Sequence, residues 1–159
     1  MSDVGESVPR RRAGNRRLLI AVGFLAVLLV GILFGRQLLA LLPPPASVDG
    51  RSPVPSCGVE QAGLGGPWNV PARTCFWSAY LNGQPAEFTS TRPTIEGAPI
   101  TTIYRVLGPG QVEIIIDTRQ DPYSNRGWAH LLCPRLIAQE GQPQPDFGWG
   151  DDCVGLPID

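Results

Sequence analysis

The chain changes its hydrophobic pattern several times, and each change predicts a different element. Residues Leu18 to Gly35 read LLIAVGFLAVLLVGILFG, 18 uncharged and almost wholly apolar positions with no polar stripe. A run that is apolar on every side predicts a helix surrounded by lipid, not the one-sided helix of a soluble core. At 1.5 Å per residue it spans about 27 Å, close to the hydrocarbon thickness of a bilayer. Leu38 to Leu42 extend the run beyond Arg36 and Gln37, and Arg36 can reach the headgroups with its long side chain. A single transmembrane helix with an interfacial extension is therefore predicted over 18–42.

Behind it, Pro43 to Pro55 read PPPASVDGRSPVP, five prolines among small and charged residues, which predicts an extended, semi-rigid stalk. Patterned sequence resumes at about Ser56. Pro71 suits the first turn of a helix capped near Asn69 or Val70. Cys75 and Ala79 then share one helical face, with Phe76 and Tyr80 on the adjacent stripe, and Asn82-Gly83 ends the helix. Strand patterns follow over Ala86–Thr94, Ile100–Leu107, Gln111–Thr118 and Trp128–Leu132. The tail from Gln139 is rich in Gly and Pro and reads as irregular.

Gly108-Pro109-Gly110 is a strong hairpin signal. Setting Leu107 opposite Gln111 pairs Val106 with Val112, Tyr104 with Ile114 and Thr102 with Ile116 on one face. The other face then pairs Arg105 with Glu113, Ile103 with Ile115 and Thr101 with Asp117. The first set suits a core. The second begins with an ion pair expected in solvent, where it specifies register more than it stabilises. The predicted architecture is α+β: one helix packed on a three- or four-stranded antiparallel sheet, on the face carrying Tyr104, Ile114 and Ile116.

Charge divides the chain in the same places. All 13 cations are Arg, and the mean hydropathy of +0.01 averages unlike parts. Residues 1–17 carry five Arg against two acids, whereas residues 43–159 carry seven Arg against twelve acids, a net −5. The positive-inside rule puts a basic cytoplasmic arm at 1–17 and an extracytoplasmic domain at 56–159, held at the cell membrane through Leu18 to Leu42. A cleaved signal peptide would need a shorter apolar run and a small-residue cleavage site, which 39–42 and the prolines behind it do not offer. Gly31 and Gly35 form a G-x-x-x-G, the one feature favouring a homodimer. A −5 domain argues against nucleic acid or anionic lipid as its partner.

Cys57, Cys75, Cys133 and Cys153 all fall in the outer domain, as expected where an oxidising compartment selects for disulfides. The helix-to-strand pairing Cys75–Cys133 is favoured, with Cys57–Cys153 clasping the domain ends. Their separations of 18, 58 and 20 residues do not suit zinc.

No catalytic, metal or cofactor motif is present. His130 is the sole histidine and reads as a partly exposed strand residue. Asp117, Asp121, Asp151 and Asp152 could gather around calcium, but the DTRQDPYSN stretch lacks calcium-loop spacing. The aromatic positions Trp68, Trp128 and Trp149, with His130, form the candidate binding surface, against the simpler expectation that the aromatics cover a small core. The expected function is a non-catalytic, membrane-tethered domain that binds a protein or cell-envelope component. The alternatives are a wall- or glycan-acting enzyme or accessory using Glu87 and Asp117, and a small-ligand sensor acting through a partner.

Overall fold

In a computed structural model the chain forms two compact units, Met1–Leu41 and Leu42–Asp159. The structure describes residues 22, 23, 25, 27–31, 43–138 and 146–158. In the first unit these residues are helical, and Val27 to Val30, four consecutive positions, are each more than half exposed. Among the described residues no helix is long and apolar enough to cross a membrane. The transmembrane helix expected over 18–42 is therefore not found there, and most of that segment lies outside the described residues.

The second unit is built on a six-stranded mixed sheet, which corrects the expected three- or four-stranded antiparallel one. Its strands are β1 (Ser56–Gln61), β2 (Ala86–Pro93), β3 (Pro99–Gly108), β4 (Gln111–Asp117), β5 (Trp128–Cys133) and β8 (Val154–Gly155), in that spatial order. A separate pair, β6 (Leu136–Ala138) and β7 (Phe147–Trp149), is antiparallel. The short helix α1 (Ala46–Asp49) precedes the sheet, and α2 (Val70–Leu81) lies between β1 and β2. β1 runs parallel to β2. Parallel neighbours cannot be joined by a tight hairpin, and α2 supplies the crossover. β1 escapes a pattern search because SCGVEQ has no regular apolar alternation and its register shifts between Ser56 and Gly58.

Local signals set the helix. The Asn69 side chain accepts a hydrogen bond from the Ala72 N–H at 3.3 Å, Pro71 occupies the first turn, and Gly83 turns the chain out at φ 60°. A Cβ at Gly83 would sit 2.8 Å from Pro109 of the β3–β4 turn, so glycine also permits that close approach. Phe76 of α2 meets Phe88, Tyr104 and Phe147 with ring centroids 5.2–6.0 Å apart. Val106, Val112 and Ile114 complete the core beneath it.

The hairpin register holds across all six pairs from Thr101–Asp117 to Val106–Val112. The turn differs: Gly108, not Leu107, faces Gln111, and a register shift absorbs the extra residue. The disulfides also differ. They join Cys57 to Cys75 and Cys133 to Cys153, not helix to strand and end to end. β1 enters the sheet beside α2, which brings Cys57 to the helix. The tail is not irregular throughout: Cys153 leads into β8, which pairs with β5.

The Pro-rich segment is not a free stalk. It contains α1, buries Val48, and its Ser52 carbonyl accepts a hydrogen bond from Arg105 Nη2. The Arg105–Glu113 pair is consequently buried, with both residues under 10% exposed, rather than in solvent. His130 is buried beside them and is not the partly exposed strand residue expected.

Candidate functional site

Strand alternation sends β2 and β3 side chains to opposite faces of the sheet, and each face carries a buried charge cluster. On the α2 face, Arg73 donates from Nε to Glu60 Oε2 and from Nη2 to Glu60 Oε1, both at 2.7 Å. Glu60 also accepts from the Asn69 N–H and the Ser90 hydroxyl, each at 2.9 Å. Arg73 Nη1 donates to Asp146 Oδ1 at 3.0 Å. Burial alone would push the Glu60 carboxyl up, but the hydrogen bonds from Arg73, Asn69 and Ser90, with the Arg73 charge, carry it below its ordinary value.

Arg92 is the fourth charge, and it is held differently. Its guanidinium stacks on the Trp68 ring at 3.6 Å, beside that of Arg73 at 4.1 Å. Its Nε lies 3.9 Å from Glu60 and its Nη2 3.7 Å from Asp146, beyond hydrogen-bond reach, and neither nitrogen has a hydrogen-bond partner. The side chain is 39% exposed. Burial pushes its pKa down and the charge of Arg73 acts in the same direction, yet a guanidinium stays charged at neutral pH.

Arg92 stands between two hollows. One, of about 250 Å³, is bounded by Gly63–Gly66 and Trp68. The other is a cleft of about 430 Å³ between the strands β2 and β3 and the segment Asp146–Trp149. That volume is in the range of small-molecule sites. The cleft floor is formed by Thr102 and Tyr104, two residues apart on one strand face and each 8% exposed. Among the described residues neither hydroxyl makes a hydrogen bond. Burial pushes the Tyr104 hydroxyl up to about 12, so it stays a neutral donor and acceptor. Trp149 forms a wall, 6.1 Å from the Tyr104 ring and 37% exposed.

The other face is closed. Arg105 lies between Glu87 at 3.0 Å and Glu113, and its Nη2 is taken by the Ser52 carbonyl. Arg51 reaches within 3.8 Å of Glu87. His130 Nε2 is 2.7 Å from Glu113 Oε1. Burial raises the Glu113 pKa, but hydrogen bonds from His130 and Arg105 outweigh it and leave the carboxyl below its ordinary value.

The sequence-predicted surface is thus split. Trp149 lines the cleft and Trp68 stacks under Arg92, whereas Trp128 lies beneath Arg119 at 4.8 Å and His130 is sealed against Glu113 on the other face. Glu87 and Asp117 also project from that face, paired with Arg105 and Arg119. Three of the four carboxylates considered for calcium are engaged separately: Asp117 binds Arg119, Asp121 accepts from the Tyr123 N–H, and Asp152 pairs with Arg135. Among the described residues no three potential ligands converge on a metal position. Glu60, Arg73, Arg92 and Tyr104 escaped the sequence search. The one available signal was Arg73 beside Ala72 and Phe76 on the buried stripe of the helix.

Chemically the cleft is suited to recognition. Its serine donates to a carboxylate already saturated by four donors, which makes a poor base. Family models, curated proteins and solved structures provide no match to this chain.

Proposed function

We propose that this protein is held at the cell membrane by its apolar 18–42 segment and presents residues 56–159 outside the cytoplasm, where they bind an envelope component or protein without catalysis. The basic 1–17 arm and the asymmetry of Arg across the apolar run support the orientation. The consecutive exposed apolar residues Val27 to Val30 support a lipid environment for the run. Two disulfides in the outer domain agree with an oxidising compartment.

The observation that carries the binding role is the 430 Å³ cleft, whose floor hydroxyls and bordering guanidinium have unused hydrogen-bonding capacity. The enzymatic alternative needs Glu87 and Asp117 beside the aromatics, and they lie across the sheet from the cleft. The test is a photo-crosslinking side chain in place of Ile100, at the cleft, or of Val154, on the edge strand β8 away from it, in the full chain in its native membrane. A discrete adduct from position 100 and none from position 154 is expected. Equal adducts from both, or none from position 100, would contradict the role.

A further inference from the structure

We infer that the cleft takes a sugar unit carrying a single carboxylate, with Arg92 reading the carboxylate, Thr102 and Tyr104 reading ring hydroxyls, and Trp149 covering the apolar ring face. This rests on the binding role proposed above and names the ligand class of the same site. Three observations lead to it.

The first is a difference in saturation. Of the four charges in the cluster, Glu60, Arg73 and Asp146 are hydrogen-bonded to one another or to the backbone, whereas Arg92 is held only by stacking and by long contacts. Stacking on Trp68 fixes the guanidinium plane without using its N–H groups. Nε and Nη2 are sealed beside Glu60 and Asp146, so it is the exposed part of the guanidinium that would meet a ligand carboxylate.

The second is the floor. Thr102 and Tyr104 are buried residues spaced i and i+2 on β3, and their hydroxyls lack protein partners without being sealed from solvent, which leaves donor and acceptor capacity at the cleft. Buried polar groups ordinarily find partners, and a polyhydroxylated ring supplies both donors and acceptors. A simple carboxylate would satisfy Arg92 and leave these two hydroxyls unanswered.

The third is the wall and the field. Trp149 lies against Tyr104 with part of its indole exposed at the cleft, a surface for the C–H face of a ring. The net −5 of residues 43–159 disfavours a polyanion, so one charge per bound unit fits where several do not.

The test titrates the full chain in detergent with D-glucuronate, D-glucose and acetate, following tryptophan fluorescence. Glucuronate is expected to bind at least ten times more tightly than either of the others. Arg92→Gln should erase the advantage of glucuronate over glucose, and Thr102→Val should weaken both sugars several-fold. The melting temperature of each variant separates lost recognition from lost fold. Glucose binding as well as glucuronate, or acetate binding as well, would overturn the acidic-sugar class. If glucuronate does not bind but the position-100 adduct still forms, the ligand class fails alone. If both are absent, the binding role fails as well.

Discussion

The two faces of this sheet bury similar charges and use them differently. On the outer side of β2–β5, Arg105 is enclosed by Glu87, Glu113 and the Ser52 carbonyl, and a segment of chain lies over it. On the α2 side, Arg73 is equally enclosed, but Arg92 beside it is left with stacking and long contacts at the mouth of a cleft. A buried ion pair offsets its own desolvation only with good geometry and added hydrogen bonds. The Arg73–Glu60 pair has them, whereas the other cluster has them in part: Arg105 Nη2 and His130 Nε2 are bonded, but Arg105 Nε, Arg51 Nη1 and His130 Nδ1 have no hydrogen-bond partner. Arg92 differs in being 39% exposed at a cleft, which supports the proposed reading of that side as an interaction surface.

The largest effect expected from breaking this comparison is on stability. Arg73→Ala leaves Glu60 buried with both guanidinium hydrogen bonds gone and only Arg92, 3.9 Å away, as a cation, and should cost about 3–5 kcal/mol in urea unfolding. Arg105→Ala should cost less, because His130 stays 2.7 Å from Glu113, and it should leave cleft binding intact. Equal costs for the two would erase the distinction.

Next comes the Cys133–Cys153 bridge. Replacing both cysteines by Ser should lower stability by about 2–4 kcal/mol. It should also weaken cleft binding, since β7 and its cleft residues lie between the bridged positions. Removing Cys57–Cys75 should cost stability and also weaken binding, since Trp68, on which Arg92 stacks, lies between those positions.

Acid acts on both faces. Glu60 and Glu113 have folded pKa values below the ordinary 4.5, so the unfolded chain binds protons more readily. Their stabilisation is complete above that value and is lost as pH falls below it. The urea midpoint should therefore drop between about pH 5 and about pH 3, with a shallower slope in Glu113→Gln. The smallest stability effect belongs to Arg92→Gln, under about 1 kcal/mol for a partly exposed charge without a hydrogen bond.

These contrasts also show which parts of the molecule were legible in the sequence. The β3–β4 register is readable because alternation and a Gly-Pro-Gly turn are local, and helix α2 because Asn69, Pro71 and Gly83 mark its ends. The six-strand sheet is not, because β1 lacks alternation and β8 is two residues long. The disulfide pairing depended on β1 and was lost with it. The burial of Arg105 and His130 depends on a segment whose prolines suggest an extended stalk. Trp68 and Trp149 are recognisable as candidates, but their grouping around Arg92, and the exclusion of Trp128 and His130, arises from contacts distant in sequence.

The most direct measurement uses the four tryptophans as reporters. Indole N–H signals of the full chain would be recorded by NMR as D-glucuronate is added. Shifts at Trp149 and Trp68, with Trp128 unmoved, are expected from a ligand seated beside Arg92. A shift at Trp128 with Trp149 and Trp68 still would place the ligand on the closed face and contradict the assignment of the cleft.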